Sequence, residues 1–204
     1  MVVASRNTGK VNELRRLLRA VPWRLLDLDL VIGGPGVRWR EDGATYSENA
    51  AIKARAVCAA TGLPSLADDS GIEVVALDGW PGIRTARWMG EGVTPEQLMS
   101  ALAQRVATLP PDQRAAIFVC ALALAMPRIP GEPESLIAEA RLDGVLLTQP
   151  RGRRGFGYDP IFVPRGEACT MAEMSQSRKD EISHRARAVR KLLARMDTQS
   201  PSTR

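Results

Sequence analysis

The chain carries one histidine, His184, in 204 residues, and that scarcity excludes whole classes of site. Zinc centres built on several histidines are ruled out, and so is a relay passing a proton between two imidazoles. Cysteine is nearly as rare: Cys58, Cys120 and Cys169 are an odd number, widely spaced and without metal-ligand spacing. Cys58 and Cys120 sit in apolar surroundings and read as core residues of a reducing compartment, so a cytoplasmic protein is expected. Aromatic residues make up only 4%, which leaves no evident stacking surface for nucleic acid. Long hydrophobic runs are missing as well. The longest, Ala115 to Met126, is too short for a membrane span, and polar Ser5, Arg6 and Asn7 follow the N-terminus too soon for a signal peptide.

What is present is ordinary in bulk: 45% hydrophobic and 25% charged residues, as in a globular protein. The net charge of +5 favours an anionic partner such as phosphate, nucleotide or nucleic acid, although the arginines are scattered along the chain. Strand and helix signals alternate, which predicts a mixed α/β protein of one domain or one two-lobed unit. Strands are expected at Val2 to Ala4, Leu25 to Ile32 and Ala115 to Met126, with a hairpin-like pair at Leu136 to Leu142 and Gly144 to Leu147. Helices are expected after Lys10, from a Thr45 or Ser47 cap to about Thr61, from a Thr94 cap to about Ala107, and from about Asp180 to Met196.

The densest chemistry lies in LADDSGIEVVAL, Leu66 to Leu77. A short apolar run reaches adjacent Asp68 and Asp69, then Ser70 and Gly71, then a second strand-like run from Ile72. Two acids at the end of a buried strand are costly unless a metal, a base or a proton pairs with them. An ordinary turn between two strands would use the same residues, since Asp, Ser and Gly are turn formers.

Upstream, a strand runs into Ser5-Arg6-Asn7-Thr8-Gly9-Lys10 and then into a helix marked by Val11, Leu14, Leu17 and Leu18. A strand, a polar loop and a helix N-terminus together attract an anion, because free N–H groups and the helix dipole point at it. The loop is not a Walker A, because Ala4 holds its first glycine position and Val11 replaces its Ser or Thr. Glu41 lies in an acidic turn before the helix that carries Glu48, Asn49 and Lys53. Its interest is a meeting with Asp69, since Mg²⁺ takes one or two carboxylates plus substrate phosphates.

In the loop from Arg151 to Pro160, glycines flank Phe156. Either a base stacks on that ring, with Asp159 fixing an edge or the loop, or the stretch is a surface turn with a core phenylalanine. On the last helix His184 projects away from the apolar face and Arg185 sits near its edge. Lys179, His184 and Arg185 would repel one another unless an anion or acidic group lies there.

ASRNTGK, EDGATYSENAAIKARA, LADDSGIEV, PGIRTARW, GFGYDPIFVP and a lysine followed by SHR occur in that order. From about Val2 to about Met196 the chain thereby resembles the inosine triphosphate pyrophosphatase family, also called XTP/dITP diphosphatases or non-standard purine NTP pyrophosphatases. The resemblance implies an elongated two-lobed α/β fold over 1–196, with a long mixed sheet flanked by helices and the active site in the cleft between lobes. It implies a homodimer; beyond the resemblance, the polar end of the chain, 197–204, reads as a disordered tail. The resemblance also implies Mg²⁺-dependent hydrolysis of ITP, dITP or XTP to the monophosphate and pyrophosphate, which cleanses the nucleotide pool. The family's triphosphate loop falls on Ser5, Arg6, Asn7, Thr8, Gly9 and Lys10; its metal carboxylates fall on Glu41 and Asp69, and Asp69 matches its general base. Ser70 matches a substrate contact, Phe156, Gly157, Tyr158 and Asp159 match the nucleoside loop, and Lys179, His184 and Arg185 match the remaining contacts. Arg153-Arg154 departs from the glycine-rich run usual before that loop; the added charge either tightens phosphate binding or faces solvent.

On that resemblance, Lys10 and Lys53, with Arg185, would stabilise charge on the leaving pyrophosphate. Asp68 and Asp69 both stay open as proton acceptor, because adjacent acids titrate as a pair. Hypoxanthine and xanthine present an acceptor at C6 where adenine presents a donor, so donors from His184, Arg185 or the backbone would reject ATP. The rival readings are hydrolysis of other modified triphosphates on a related fold and nucleic-acid binding through the basic surface.

Overall fold

The computed structural model describes residues 1–128 and 131–199, and the chain divides into two compact units. Unit 1 is Met1–Asp69, Cys120–Ala140 and the chain from Arg185 on; unit 2 is Ser70–Val119 and Arg141–His184. The elements in order are β1 (Val2–Val3), α1 (Thr8–Leu17), β2 (Leu26–Asp27), α2 (Tyr46–Thr61), β3 (Ser65–Val74), α3 (Pro95–Ala107), β4 (Ala115–Met126), β5 (Glu134–Leu146), β6 (Phe162–Pro164), α4 (Gln176–Ile182) and α5 (His184–Gln199). The strands form one six-stranded sheet in the order β2-β1-β3-β4-β5-β6. It is mixed: β1 is parallel to both β2 and β3, while β5 and β6 are antiparallel. The expected α/β architecture with a mixed sheet is therefore present. Among the described residues no helix is long and apolar enough to cross a membrane.

Local signals place the helices as expected. Asn7 caps α1 by accepting from Lys10 N, and Thr45 caps α2 by accepting from Glu48 N. Gly62, left-handed at φ 66°, ends α2. Thr94 and Gln97 close a capping box at α3. In unit 1 a core forms from Val3, Leu14, Leu66, Leu122 and Leu192; in unit 2 another forms from Ile72, Leu102, Phe118, Leu146 and Phe162.

Four expectations need correction. Asp68 to Gly71 do not turn the chain: β3 is a central strand, paired on both sides, and runs unbroken from Ser65 to Val74. The hairpin expected between Leu142 and Gly144 is also a single strand. Gly144 is there for contact, not for bending, because a Cβ on it would lie 2.4 Å from Val163 O and 2.5 Å from the Phe162 ring. The strand expected over Leu25 to Ile32 shrinks to Leu26–Asp27, since its neighbour β1 offers only Val2 and Val3 for pairing. The last helix is two: α4 ends at Ile182, Ser183 interrupts, and α5 begins at His184. α5 continues through 197–199, and the rest of the expected tail, 200–204, lies outside the described residues.

Candidate active site

Within unit 1 two carboxylates converge on one ammonium. Lys53, in α2, reaches Asp69 Oδ1 at 2.6 Å and Glu41 Oε1 at 3.0 Å, which brings together three of the expected residues. Asp69 is buried in β3, and its Oδ2 has no hydrogen-bond partner. Burial pushes the Asp69 pKa up, aided by Glu41, and the pull of Lys53 and Lys10 in the other direction does not cancel it. Burial works against the Lys53 charge, but Asp69 and Glu41 outweigh it and hold that pKa above the usual lysine value.

Asp68, the next residue back, has the opposite surroundings. Its Oδ1 pairs with Lys10 Nζ at 2.7 Å, while its Oδ2 accepts from Arg185 Nε at 2.7 Å and from Cys120 Sγ at 3.2 Å. Burial alone would raise its pKa; the Arg185 and Lys10 charges overcome that and hold it well below the usual carboxylate range. Arg185 also donates to Glu13, and its own pKa is driven well above the ordinary value by the two acids against the opposing effect of burial. Both oxygens of Asp68 are thus occupied by cations, so it is a poor proton acceptor.

The Ser5 to Lys10 loop is organised by its own side chains. Ser5 Oγ accepts from Asn7 N at 3.2 Å, and Thr8, Gly9 and Lys10 open α1, where the first N–H groups lack partners within the helix. Arg6 leaves this array: it donates to Asp29 Oδ1, Pro35 O and Val37 O, and its guanidinium lies 5.2 Å from the centroid of the Trp39 ring.

Within unit 2 the loop around Phe156 is built on Asp159. The buried Asp159 Oδ2 accepts from Lys179 Nζ at 2.5 Å and from Phe156 N at 2.9 Å. A Cβ on Gly155, at φ +74°, would fall 2.0 Å from the same oxygen, so only glycine fits there. Phe156 is half-buried, with Lys179 Nζ 5.2 Å from its ring centroid. Tyr158 is buried between Trp88 Nε1, which donates to its hydroxyl at 3.1 Å, and Thr85 O, which accepts from it at 2.8 Å. Arg154 donates to the carbonyls of Glu173 and Met174 and is committed to the loop. His184 and Arg185 are both buried, contrary to the expectation that neither is used in the core; His184 stacks on Phe118 at 4.6 Å and 11°. The expected repulsion among Lys179, His184 and Arg185 is answered inside the protein, by Asp159 for Lys179 and by Asp68 and Glu13 for Arg185. Ser70 follows Asp69 in β3 and is half-buried.

The sequence model of the Ham1 family matches residues 1–195. The chain belongs to the Ham1 family. It is 48% identical to the dITP/XTP pyrophosphatase of Rhodospirillum centenum over 96% of this chain and 93% of that one. It is 46% identical to the dITP/XTP pyrophosphatase of Frankia alni, over 94% of each chain. The structure of the Staphylococcus aureus Ham1 protein superposes with a TM-score of 0.81 at 33% identity, covering 97% of this chain and 98% of that one.

Two buried groups of this Ham1-family chain escaped the sequence reading. Glu13 stood among the polar residues of α1, yet it is buried against Arg185. Its only signal is position, one residue before the buried Leu14. Cys120 read as plain core, and it also donates to Asp68.

Proposed function

We propose that this protein is a nucleoside triphosphate pyrophosphatase that hydrolyses dITP, XTP and ITP to the monophosphate and pyrophosphate, with Mg²⁺ as cofactor. The observation that carries the reading is the Glu41–Lys53–Asp69 cluster, with one buried carboxylate oxygen left without a partner, in a chain 48% identical to a dITP/XTP pyrophosphatase over nearly its full length.

Among the described residues no group of three or more His, Cys, Asp or Glu side chains gathers as a metal cage. Mg²⁺ does not need one, because it binds through one or two carboxylates and the substrate's phosphates. Glu41 and Asp69 fit that role: both are hard oxygen donors, and the buried Asp69 Oδ2 has no other partner. Bound Mg²⁺ would neutralise the triphosphate tail and lower the pKa of a nearby water.

The chain's own residues supply the rest. Asp69 takes a proton from the attacking water; the water oxygen bonds to the α-phosphorus, and the bond to the bridging oxygen breaks to release pyrophosphate. Lys53 and Lys10 offset the charge that collects on the leaving group. Asp68 and Arg185 hold Lys10 from behind: Asp68 lies between the two cations, and Glu13 anchors Arg185. Thr8 and Gly9 offer N–H groups to the phosphates. Phe156 gives a ring face for the base, with Asp159 and Lys179 setting its loop. The same reading, on the family resemblance, includes a cytoplasmic homodimer, which sedimentation of the purified chain would test.

The direct test is pyrophosphate release from dITP, XTP, ITP, ATP and GTP in the presence of Mg²⁺. Turnover of the first three well above the last two is expected. Equal turnover of all five would keep the chemistry and remove the selectivity, and no release from any would sink the reading.

A further inference from the structure

Asn49 takes no part in the chemistry above, yet it is fully buried in the second turn of α2, where asparagine is a poor helix former. Its Oδ1 accepts from Gly43 N at 3.0 Å, and the preceding Glu48 accepts from Ala44 N through Oε2 at 2.7 Å. Two successive N–H groups just after Glu41-Asp42 are thus captured by two successive side chains of α2. The loop lies directly on the helix: a Cβ on Gly43 would sit 2.8 Å from Glu48 Cβ and 2.9 Å from Asn49 Oδ1. One helical turn beyond Asn49, on the same face, Lys53 reaches the Glu41 carboxylate itself. α2 therefore holds the Glu41 loop at two points, at the Gly43 backbone through Asn49 and at the Glu41 carboxylate through Lys53.

The other end of the Asn49 amide is unmatched. Nδ2 is buried with no hydrogen-bond partner, and flipping the amide would not help, because Gly43 N–H requires an acceptor. A buried donor without an acceptor is a costly exception that calls for a cause, and a ligand completing the site is one. Asn49 and Asp69 both keep such an atom, a donor and an acceptor, and Lys53 links them, one helical turn from the first and in contact with the second.

We propose that Asn49 is a positioning residue for the Glu41–Asp69 pair, its Oδ1 fixing the Glu41 loop and its Nδ2 donating to a phosphate oxygen of the bound nucleotide. A phosphate oxygen is the strongest acceptor such a substrate brings. The nucleotide half of this rests on the function proposed above; the loop half does not.

Wild type, Asn49→Ala and Asn49→Asp would be compared by Mn²⁺ binding without nucleotide (electron paramagnetic resonance), by steady-state pyrophosphate release from dITP, and by thermal unfolding. Supporting shells of metal ligands usually act on affinity or activity by about 10- to 100-fold. Asn49→Ala is expected to weaken Mn²⁺ binding about tenfold and lower kcat/KM by more than that. Asn49→Asp keeps the acceptor for Gly43 N–H, so Mn²⁺ affinity should return to within about threefold of wild type, while kcat/KM stays at least about tenfold down because the donor is lost. Unchanged Mn²⁺ affinity in Asn49→Ala, or no recovery of it in Asn49→Asp, would overturn the loop half. Wild-type kcat/KM in Asn49→Asp would overturn the donor half, and a lowered unfolding temperature as the sole change would overturn both. If wild type released no pyrophosphate from dITP, the proposed function would fall while the Mn²⁺ comparison still stood.

Discussion

Unit 1 contains two clusters of acids and cations that touch adjacent residues of one strand and have been left in opposite states. The cluster of Glu13, Arg185, Asp68 and Lys10 is closed: Arg185 and both acids are almost completely buried, and each Asp68 oxygen faces a cation. The cluster of Glu41, Lys53 and Asp69 is open: Glu41 is partly exposed and Asp69 Oδ2 has no partner. Successive residues of a strand point to opposite faces, which is how neighbours one position apart belong to different clusters. A saturated carboxylate such as Asp68 has no oxygen left for a metal or a proton and serves to hold its cations, Lys10 among them, in place. An unsatisfied one keeps an oxygen for chemistry, and burial makes that oxygen a better base by raising its pKa. Unit 2 repeats the division, with Tyr158 and Asp159 saturated and the Phe156 ring half-exposed.

The largest expected effect comes from breaking the closed cluster. Arg185→Met leaves Asp68 and Glu13 buried without their shared cation, which should cost about 3–5 kcal/mol. That corresponds to a fall of roughly 6–20 °C in unfolding temperature for a chain of this size. A change below about 1 °C would show that the cluster is not a support of the fold.

A smaller effect is expected on the open side of unit 2. Phe156→Leu keeps bulk and removes the ring face, so KM for dITP should rise about tenfold, within the roughly 1–3 kcal/mol of base stacking, while kcat moves little. An unchanged KM would place the base elsewhere. The smallest effect sharpens the closed side: Tyr158→Phe removes the hydrogen bonds with Thr85 O and Trp88 Nε1 and should cost about 1 kcal/mol with KM unchanged. A tenfold rise in KM there would mean that the hydroxyl serves the substrate after all.

The sequence makes elements with strong local signals legible. The Thr94–Gln97 capping box and the apolar run of Ala115–Met126 fall where expected because neighbours within a few residues decide them. It misleads where distant pairing overrides local chemistry. Asp68 to Gly71 read as a turn because all four are turn formers, yet pairing on both sides keeps β3 straight through them. Gly144 read as a hairpin corner because the Phe162 ring that needs its missing side chain lies 18 residues away in sequence. The ordered motifs bring Glu41, Lys53 and Asp69 forward as a group, and the structure joins them. The choice between Asp68 and Asp69 was not legible, because the residues that distinguish them, Arg185 and Glu13, arrive from α5 and α1.

The measurement that tests this division most directly is a side-by-side comparison of Asp68→Asn and Asp69→Asn for pyrophosphate release from dITP and for thermal unfolding. With Asp69 an amide Lys53 still pairs with Glu41, so that protein should lose less unfolding temperature than the Asp68 variant, while kcat falls by about 10³, within the range for a lost general base. The Asp68 anion is held by Arg185 and Lys10, so its amide should unfold roughly 6–20 °C lower. An Asp69→Asn protein that still turns over, or an Asp68→Asn protein that keeps its unfolding temperature but loses activity, would contradict the assignment of the two acids.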